Sequence, residues 1–210
     1  MKYKAIVIGT SAGGIEAVVH ILRELPAHFP LPVILVQHLS KDQDGSLIRL
    51  YNERLLLKVV EAEEKERLQP GYVYLAPPDY HLLLERDETF SLSVDEKVNY
   101  SRPSIDVLFE SAADVYGSGL VGIIMTGANH DGALGLQRIK ALGGLTVVED
   151  PATAKFSEMP RSALAACTDV DYVLSLDGLS KFLFAFVERC PRGQGMHLVQ
   201  RPGKQMRELL

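Results

Sequence analysis

Three residues in this 210-residue chain have the types that together turn a hydroxyl into a nucleophile: Ser11, His38 and Asp131. Ser11 stands in Gly9-Thr10-Ser11-Ala12-Gly13, the pattern G-x-S-x-G, and Gly14 follows. Between a strand and a helix, that pattern lifts a serine on a sharp turn at the edge of a sheet. A free hydroxyl is a poor nucleophile and needs a base beside it. Histidine suits because it titrates near neutrality. A carboxylate suits as the group that holds the imidazole tautomer and stabilises the imidazolium. Attack on a carbonyl also calls for N–H groups at the developing oxyanion. A helix N-terminus supplies unpaired N–H groups and partial positive charge at that point. The chemistry would be acyl transfer through a serine.

The same residues admit other readings. Glycine-rich strand–helix turns also bind phosphates. A Walker A loop would need a lysine after its last glycine, where this chain has Ile15. A dinucleotide fingerprint needs glycine at its second position, which is Ser11 here, and the second apolar run ends in Gln37-His38 instead of an acid. His130 adjoins Asp131, and His81 follows the run ending at Leu75 across Pro77-Pro78. Spacing excludes neither as the base. Asp131 precedes Gly132 at the start of a helical pattern, where aspartate is a common N-cap. The chain order Ser, His, Asp also differs from the Ser, Asp, His order of α/β-hydrolases.

The elements that must position these groups follow from hydrophobic period. Ala5-Ile6-Val7-Ile8 reads as a buried strand, and Ile15, Val18, Val19, Leu22 and Leu25 recur at helical spacing. Further strand candidates are Val33–Val36, Leu55–Val60, Tyr72–Leu75, Val121–Met125, Leu145–Val148 and Tyr172–Leu174. Helical patterns run from Ile105, with Ser104 as N-cap, to a stop at Gly117, from Asp131 to Leu142 before Gly143-Gly144, and from Leu179 to Val187. This alternation predicts a mostly parallel, doubly wound sheet with helices on both faces. His81–Glu85 and Phe90–Val94 flank a polar turn and predict an antiparallel hairpin added to that sheet. In such a sheet, functional groups gather at the carboxyl edge of the strands. Ser11, His38 and Asp131 each come just after a strand at that edge.

Composition bounds the rest. Hydrophobic residues make up 47% and charged residues 23%, as in ordinary globular domains. A net charge of −5 and a pI of about 5.7 argue against nucleic acid as a partner. Two cysteines, Cys167 and Cys190, form no C-x-x-C, so a reducing compartment fits. Neither a signal peptide nor an apolar run of membrane-spanning length is present, so direct membrane insertion is not expected and a cytoplasmic location is. The acidic stretch Glu61, Glu63, Glu64 and Glu66 reads as a solvated surface. One domain over 1–190 is expected, with 191–210 a flexible basic tail.

Several motifs occur together in one order. They are Gly9-Thr10-Ser11-Ala12-Gly13-Gly14, Gln37-His38, Leu68-Gln69-Pro70-Gly71 through Pro77, Arg102-Pro103-Ser104-Ile105-Asp106, Thr126-Gly127 with Asp131-Gly132-Ala133, and Phe156 through Arg161. From about Lys4 to Val187 the chain resembles the catalytic domain of the bacterial chemotaxis protein-glutamate methylesterases, the CheB family. That resemblance implies a three-layer α/β/α fold with a parallel sheet and an added hairpin. It implies hydrolysis of glutamyl methyl esters on methyl-accepting chemoreceptor cytoplasmic domains with release of methanol, and in many members deamidation of glutamine. The family's nucleophile, base and acid fall on Ser11, His38 and Asp131, and oxyanion N–H groups on Ala12 and Ala128. No metal or organic cofactor is called for.

Two departures stand out. The family commonly reads G-M-G-N-D-G where this chain has Gly127-Ala128-Asn129-His130-Asp131-Gly132. A catalytically impaired signalling or scaffold module is therefore an alternative, as is a nucleotide-binding domain. The receiver domain that precedes many family members is not in this sequence, whose first strand begins near residue 4. Activity without a phosphoryl donor is the expectation.

Overall fold

Each central strand buries both of its faces. Ile6, Ile8, Val33 and Leu35 enter one core, while their neighbours Ala5, Val7, Ile34 and Val36 enter the other. This period of two across a doubly covered sheet is why the strands read as unbroken apolar runs. The computed structural model describes residues 2–38 and 46–188. Its elements, in chain order, are β1 (Ala5–Thr10), α1 (Gly14–Leu22), β2 (Val33–Gln37), α2 (Ser46–Arg54), β3 (Lys58–Glu61), β4 (Tyr72–Leu75), β5 (His81–Leu84), β6 (Phe90–Ser93), α3 (Ile105–Tyr116), β7 (Leu120–Ile124), α4 (Ala133–Ala141), β8 (Leu145–Glu149), α5 (Glu158–Ala166), β9 (Tyr172–Leu174) and α6 (Leu176–Glu188).

Seven strands form one parallel sheet in the order β3-β4-β2-β1-β7-β8-β9. From β1 the chain adds β2, then the edge strand β3 and β4 between the two, and then crosses to β7 and builds outward on the other side. The switch point therefore lies between β1 and β7, where open α/β sheets place their ligands. On one face α1, α2 and α6 contribute Val18, Ile21, Tyr51, Phe182 and Phe186 to the core. On the other, α3, α4 and α5 contribute Leu108, Phe109, Leu136, Ile139 and Met159.

The local signals work as chemistry requires. Ser104 caps α3, its hydroxyl accepting from the Val107 N–H at 3.5 Å, and α3 ends at Gly117. The turn closing α4 is a Schellman motif: Gly144 N–H reaches Ile139 O and Gly143 N–H, at φ 80°, reaches Lys140 O. α4 begins at Ala133, two residues later than the pattern suggested, because Gly132 takes φ 92° and Asp131 is used elsewhere. The strand expected over Leu55–Val60 is the shorter edge strand β3.

The expected hairpin forms, with β5 antiparallel to β6, but as its own two-stranded sheet. It packs Leu82, Leu84 and Phe90 into the core that holds α3, and the Ser111 hydroxyl accepts from the Leu84 N–H at 3.2 Å. Two helices, α2 and α5, do not stand out in the hydrophobic pattern. The 191–210 segment and Cys190 lie outside the described residues, and Cys167 is buried with a free thiol.

One glycine near the switch point is closely constrained. A Cβ on Gly132 would lie 2.5 Å from Ile105 Cγ2 and 2.6 Å from Ile124 Cδ1, at a φ that L-residues avoid. Backbone strain and overpacking add there, so Gly132→Ala is expected to cost about 2–4 kcal/mol. A lower urea midpoint at unchanged slope checks this.

Candidate active site

The elbow is fixed by hydrogen bonds from its own backbone. Gly13 turns at φ 80° and α1 starts at Gly14. The Ser11 N–H donates to Thr126 O at 3.0 Å, tying the end of β1 to the end of β7. Ser11 O accepts from Gly14 N–H at 2.9 Å and from Gln37 Nε2 at 2.8 Å. Because a trans peptide points its N–H away from its carbonyl, the Ala12 N–H lies on the side opposite these two donors. Neither Ala12 N–H nor Ala128 N–H donates to a partner among the described residues.

Two side chains hold the strand ends together. Thr126 donates its N–H to Glu149 Oε2 at 2.7 Å and its hydroxyl to Ala12 O at 2.9 Å, while its carbonyl also accepts from Thr10 Oγ1 at 2.8 Å. Glu149 is fully buried, and burial pushes its carboxyl up against the lowering effect of the Thr126 N–H. Gln37 Nε2 also donates to His38 O at 3.0 Å, and His38 N–H donates to Thr10 O at 3.0 Å. The backbones of Ser11 and His38 are thus locked to each other by one buried amide.

His38 and Asp131 meet. His38 Nε2 lies 2.9 Å from Asp131 Oδ2, close enough for an ion pair but not aligned for a straight hydrogen bond, and it has no other partner among the described residues. Asp131 is fully buried. Its Oδ2 accepts from Ile105 N–H at 2.7 Å, and its Oδ1 accepts from Ser104 Oγ at 2.8 Å, Asn99 Nδ2 at 2.9 Å and Asp106 N–H at 3.2 Å. Burial works against the charge. The contacts from His38, Asn99 and the Ile105 N–H outweigh it, so the carboxyl lies below its ordinary value of 3.8. Asp131 therefore sits on the N-terminus of α3, where unpaired N–H groups and the helix dipole favour an anion, and does not cap its own helix α4.

The other candidates separate cleanly. His81 is buried, its Nδ1 accepting from Ser104 N–H at 3.2 Å and its Nε2 lying 3.0 Å from Glu96 O. Both ring nitrogens are spent, Nδ1 on the residue that caps α3 and Nε2 on the loop that precedes it. His130 is exposed, and its side chain makes no hydrogen bond or ion pair with the described residues.

Two neighbours of these groups are not legible in the sequence. Asn99, at φ 50°, gives its Nδ2 to both Asp131 Oδ1 and Asp106 Oδ2, the latter at 2.8 Å. Asp106 is pushed up by burial, to which the Asp131 charge adds and against which the Gly135 N–H and Asn99 amide work. Asn129 Nδ2 lies 3.1 Å from His38 Nδ1, and Asn129 Oδ1 accepts from Asp131 N–H at 3.2 Å. A lone asparagine in a loop has no periodic signal. Only its two-residue distance from Asp131 could have pointed to Asn129. No set of three or more metal-ligating side chains gathers among the described residues, and no helix there is long and apolar enough to cross a membrane.

Known proteins share this arrangement of chain. The family model described as CheB methylesterase matches residues 6–183. A Leptospira interrogans protein, provisionally named a protein-glutamate methylesterase/protein-glutamine glutaminase, is 56% identical over 86% of this chain and 93% of its own length. A Chromohalobacter salexigens protein-glutamate methylesterase/protein-glutamine glutaminase is 37% identical over 91% of this chain but only 54% of its own length, so the present chain spans about half of that relative. In structure, the chain is similar to the crystal structure of the Thermotoga maritima CheB methylesterase catalytic domain, with a TM-score of 0.83, 35% identity, and coverage of 87% of this chain and 98% of that one. With a family model spanning most of its length and both sheets of the expected fold, the chain belongs to the CheB methylesterase family.

Proposed function

We propose that this protein hydrolyses glutamyl methyl esters on the cytoplasmic domains of methyl-accepting chemoreceptors through a Ser11–His38–Asp131 triad. The observation that carries the reading is the buried Asp131 carboxylate 2.9 Å from His38, at the strand edge where the Ser11 backbone is tied to both neighbouring strands. Ser11 Oγ attacks the ester carbonyl. His38 takes the hydroxyl proton on the ring nitrogen turned away from Asp131 and delivers it to the departing methoxide, which leaves as methanol. The N–H groups of Ala12 and Ala128 receive the oxyanion. Water, activated by His38 in turn, cleaves the acyl-enzyme, leaving a glutamate side-chain carboxylate on the receptor and restoring Ser11. A glutamine amide passes through the same steps with ammonia leaving. Such a substrate places the enzyme in the cytoplasm.

The direct test is methanol release from receptor membranes carrying labelled methyl groups, with the purified chain and no phosphoryl donor. Steady release is the expected result. No release above buffer, together with no covalent capture of Ser11 by a fluorophosphonate, would remove the assignment.

A further inference from the structure

We propose that Asn129 is a positioning residue that masks the base: its side-chain amide occupies the His38 nitrogen that must take the Ser11 proton. The proposal rests on the triad reading above. His38 has two ring nitrogens, and both have neighbours. Nε2 faces Asp131 Oδ2 at 2.9 Å, and Nδ1 faces Asn129 Nδ2 at 3.1 Å. An ionised carboxylate only accepts, so the ring proton belongs on Nε2 and the lone pair on Nδ1. The Asn129 amide is oriented by its other end, since Oδ1 accepts from the Asp131 N–H at 3.2 Å. That leaves Nδ2 as the end that meets His38, a donor facing an acceptor.

The contacts close a ring from Asp131 through His38 and Asn129 back to the Asp131 backbone. A neutral imidazole offers one acceptor lone pair in its plane. Here that pair is taken by an amide, and Ser11 Oγ makes no hydrogen bond with a described residue. Catalysis therefore requires the amide to yield its place to the hydroxyl. Asn129 is half-buried beside the exposed Ala128, so its side chain has solvent to turn into, giving up its bond from the Asp131 N–H as it does so. The family pattern carries glycine at this position, where no side chain competes for the ring. Of the charged groups around the ring, Asp131 touches it, Asp106 on α3 is linked through Asn99 to Asp131 and not to the ring, and His130 is exposed.

The test uses the full chain and the variants Asn129→Ala and Asn129→Gly, each checked for wild-type thermal unfolding. The first readout is the rate at which a fluorophosphonate captures Ser11: the Oγ–P bond forms, fluoride leaves, and the hydroxyl proton goes to His38. One neutral hydrogen bond no longer competing should speed capture by about three- to tenfold. The second, independent of catalysis, is the 15N shift of the His38 ring: Nε2–H in all three proteins, with Nδ1 moving toward a free acceptor in the variants. Slower capture in both folded variants, equal capture in all three, or an Nδ1–H tautomer in the wild type would each overturn the mask. No capture in any of the three, with the ring shifts as expected, would overturn the hydrolase reading itself.

Discussion

Ser11→Ala is expected to unfold at the wild-type urea midpoint and to hydrolyse methyl esters about 10⁴- to 10⁶-fold more slowly, the range that follows loss of a triad nucleophile. The two halves of this expectation come from different atoms of one residue. The structural role of Ser11 belongs to its backbone, whose N–H binds Thr126 O and whose carbonyl is held by Gly14 and Gln37. The hydroxyl makes no hydrogen bond with the described residues, so its removal leaves no buried group without a partner. His130→Gln is the matched control. That side chain is exposed and bonds to none of the described residues, so the variant should keep most of its activity. Methanol release and covalent capture, measured side by side, check both variants. A folded Ser11→Ala protein with wild-type turnover, or a dead His130→Gln, would move the chemistry to other residues.

The residues proposed to carry the chemistry are legible in the sequence because the fold places them by rule. Each of Ser11 and His38 comes directly after a strand of a parallel sheet, and one-residue resolution is enough to put both at the carboxyl edge. The position of Asp131 follows in the same way, but its partners do not. The pattern suggested a cap for α4, whereas its carboxylate binds the N-terminus of α3, whose first residues lie 25 or more positions earlier in the chain. No local signal encodes that choice, which is made by how α3 docks beside β7. The same limit applies to the hairpin. The apolar run of β5 and the alternation along β6 reveal two strands, but not that they pack on α3 instead of joining the main sheet. The missed helices fail for local reasons. α2 buries only Leu47 and Tyr51, so its apolar stripe is thin. α5 holds Pro160 in its first turn, where proline is tolerated because that N–H has no helical partner anyway.

Asp131→Asn is expected to lose both activity and stability, and the pH dependence of the stability separates this residue from its neighbour. Every neighbour of the carboxylate is a donor: the N–H groups of Ile105 and Asp106, Ser104 Oγ, Asn99 Nδ2 and the His38 ring. An amide must aim its own N–H groups at some of them, whichever way it is turned. Facing His38, it would draw the ring to the other tautomer and leave no lone pair for the Ser11 proton. Turnover should fall by about 10⁴-fold, as when a triad acid becomes an amide. Charge-assisted bonds lost at a fully buried site should lower stability by roughly 3 kcal/mol. The sign with pH follows from the direction of the shift. A carboxyl held below its ordinary 3.8 contributes stability that is complete above that value and is lost as pH falls through the lower native one. Asp106, pushed up, acts oppositely: its burial is relieved as it takes a proton while the pH falls from its raised native value toward 3.8. In urea titrations, the gap between wild type and Asp131→Asn should therefore be constant near neutrality and narrow only below about pH 4. A gap that stayed constant into strong acid would mean the carboxylate charge does not hold α3, and that the variant fails by shape alone.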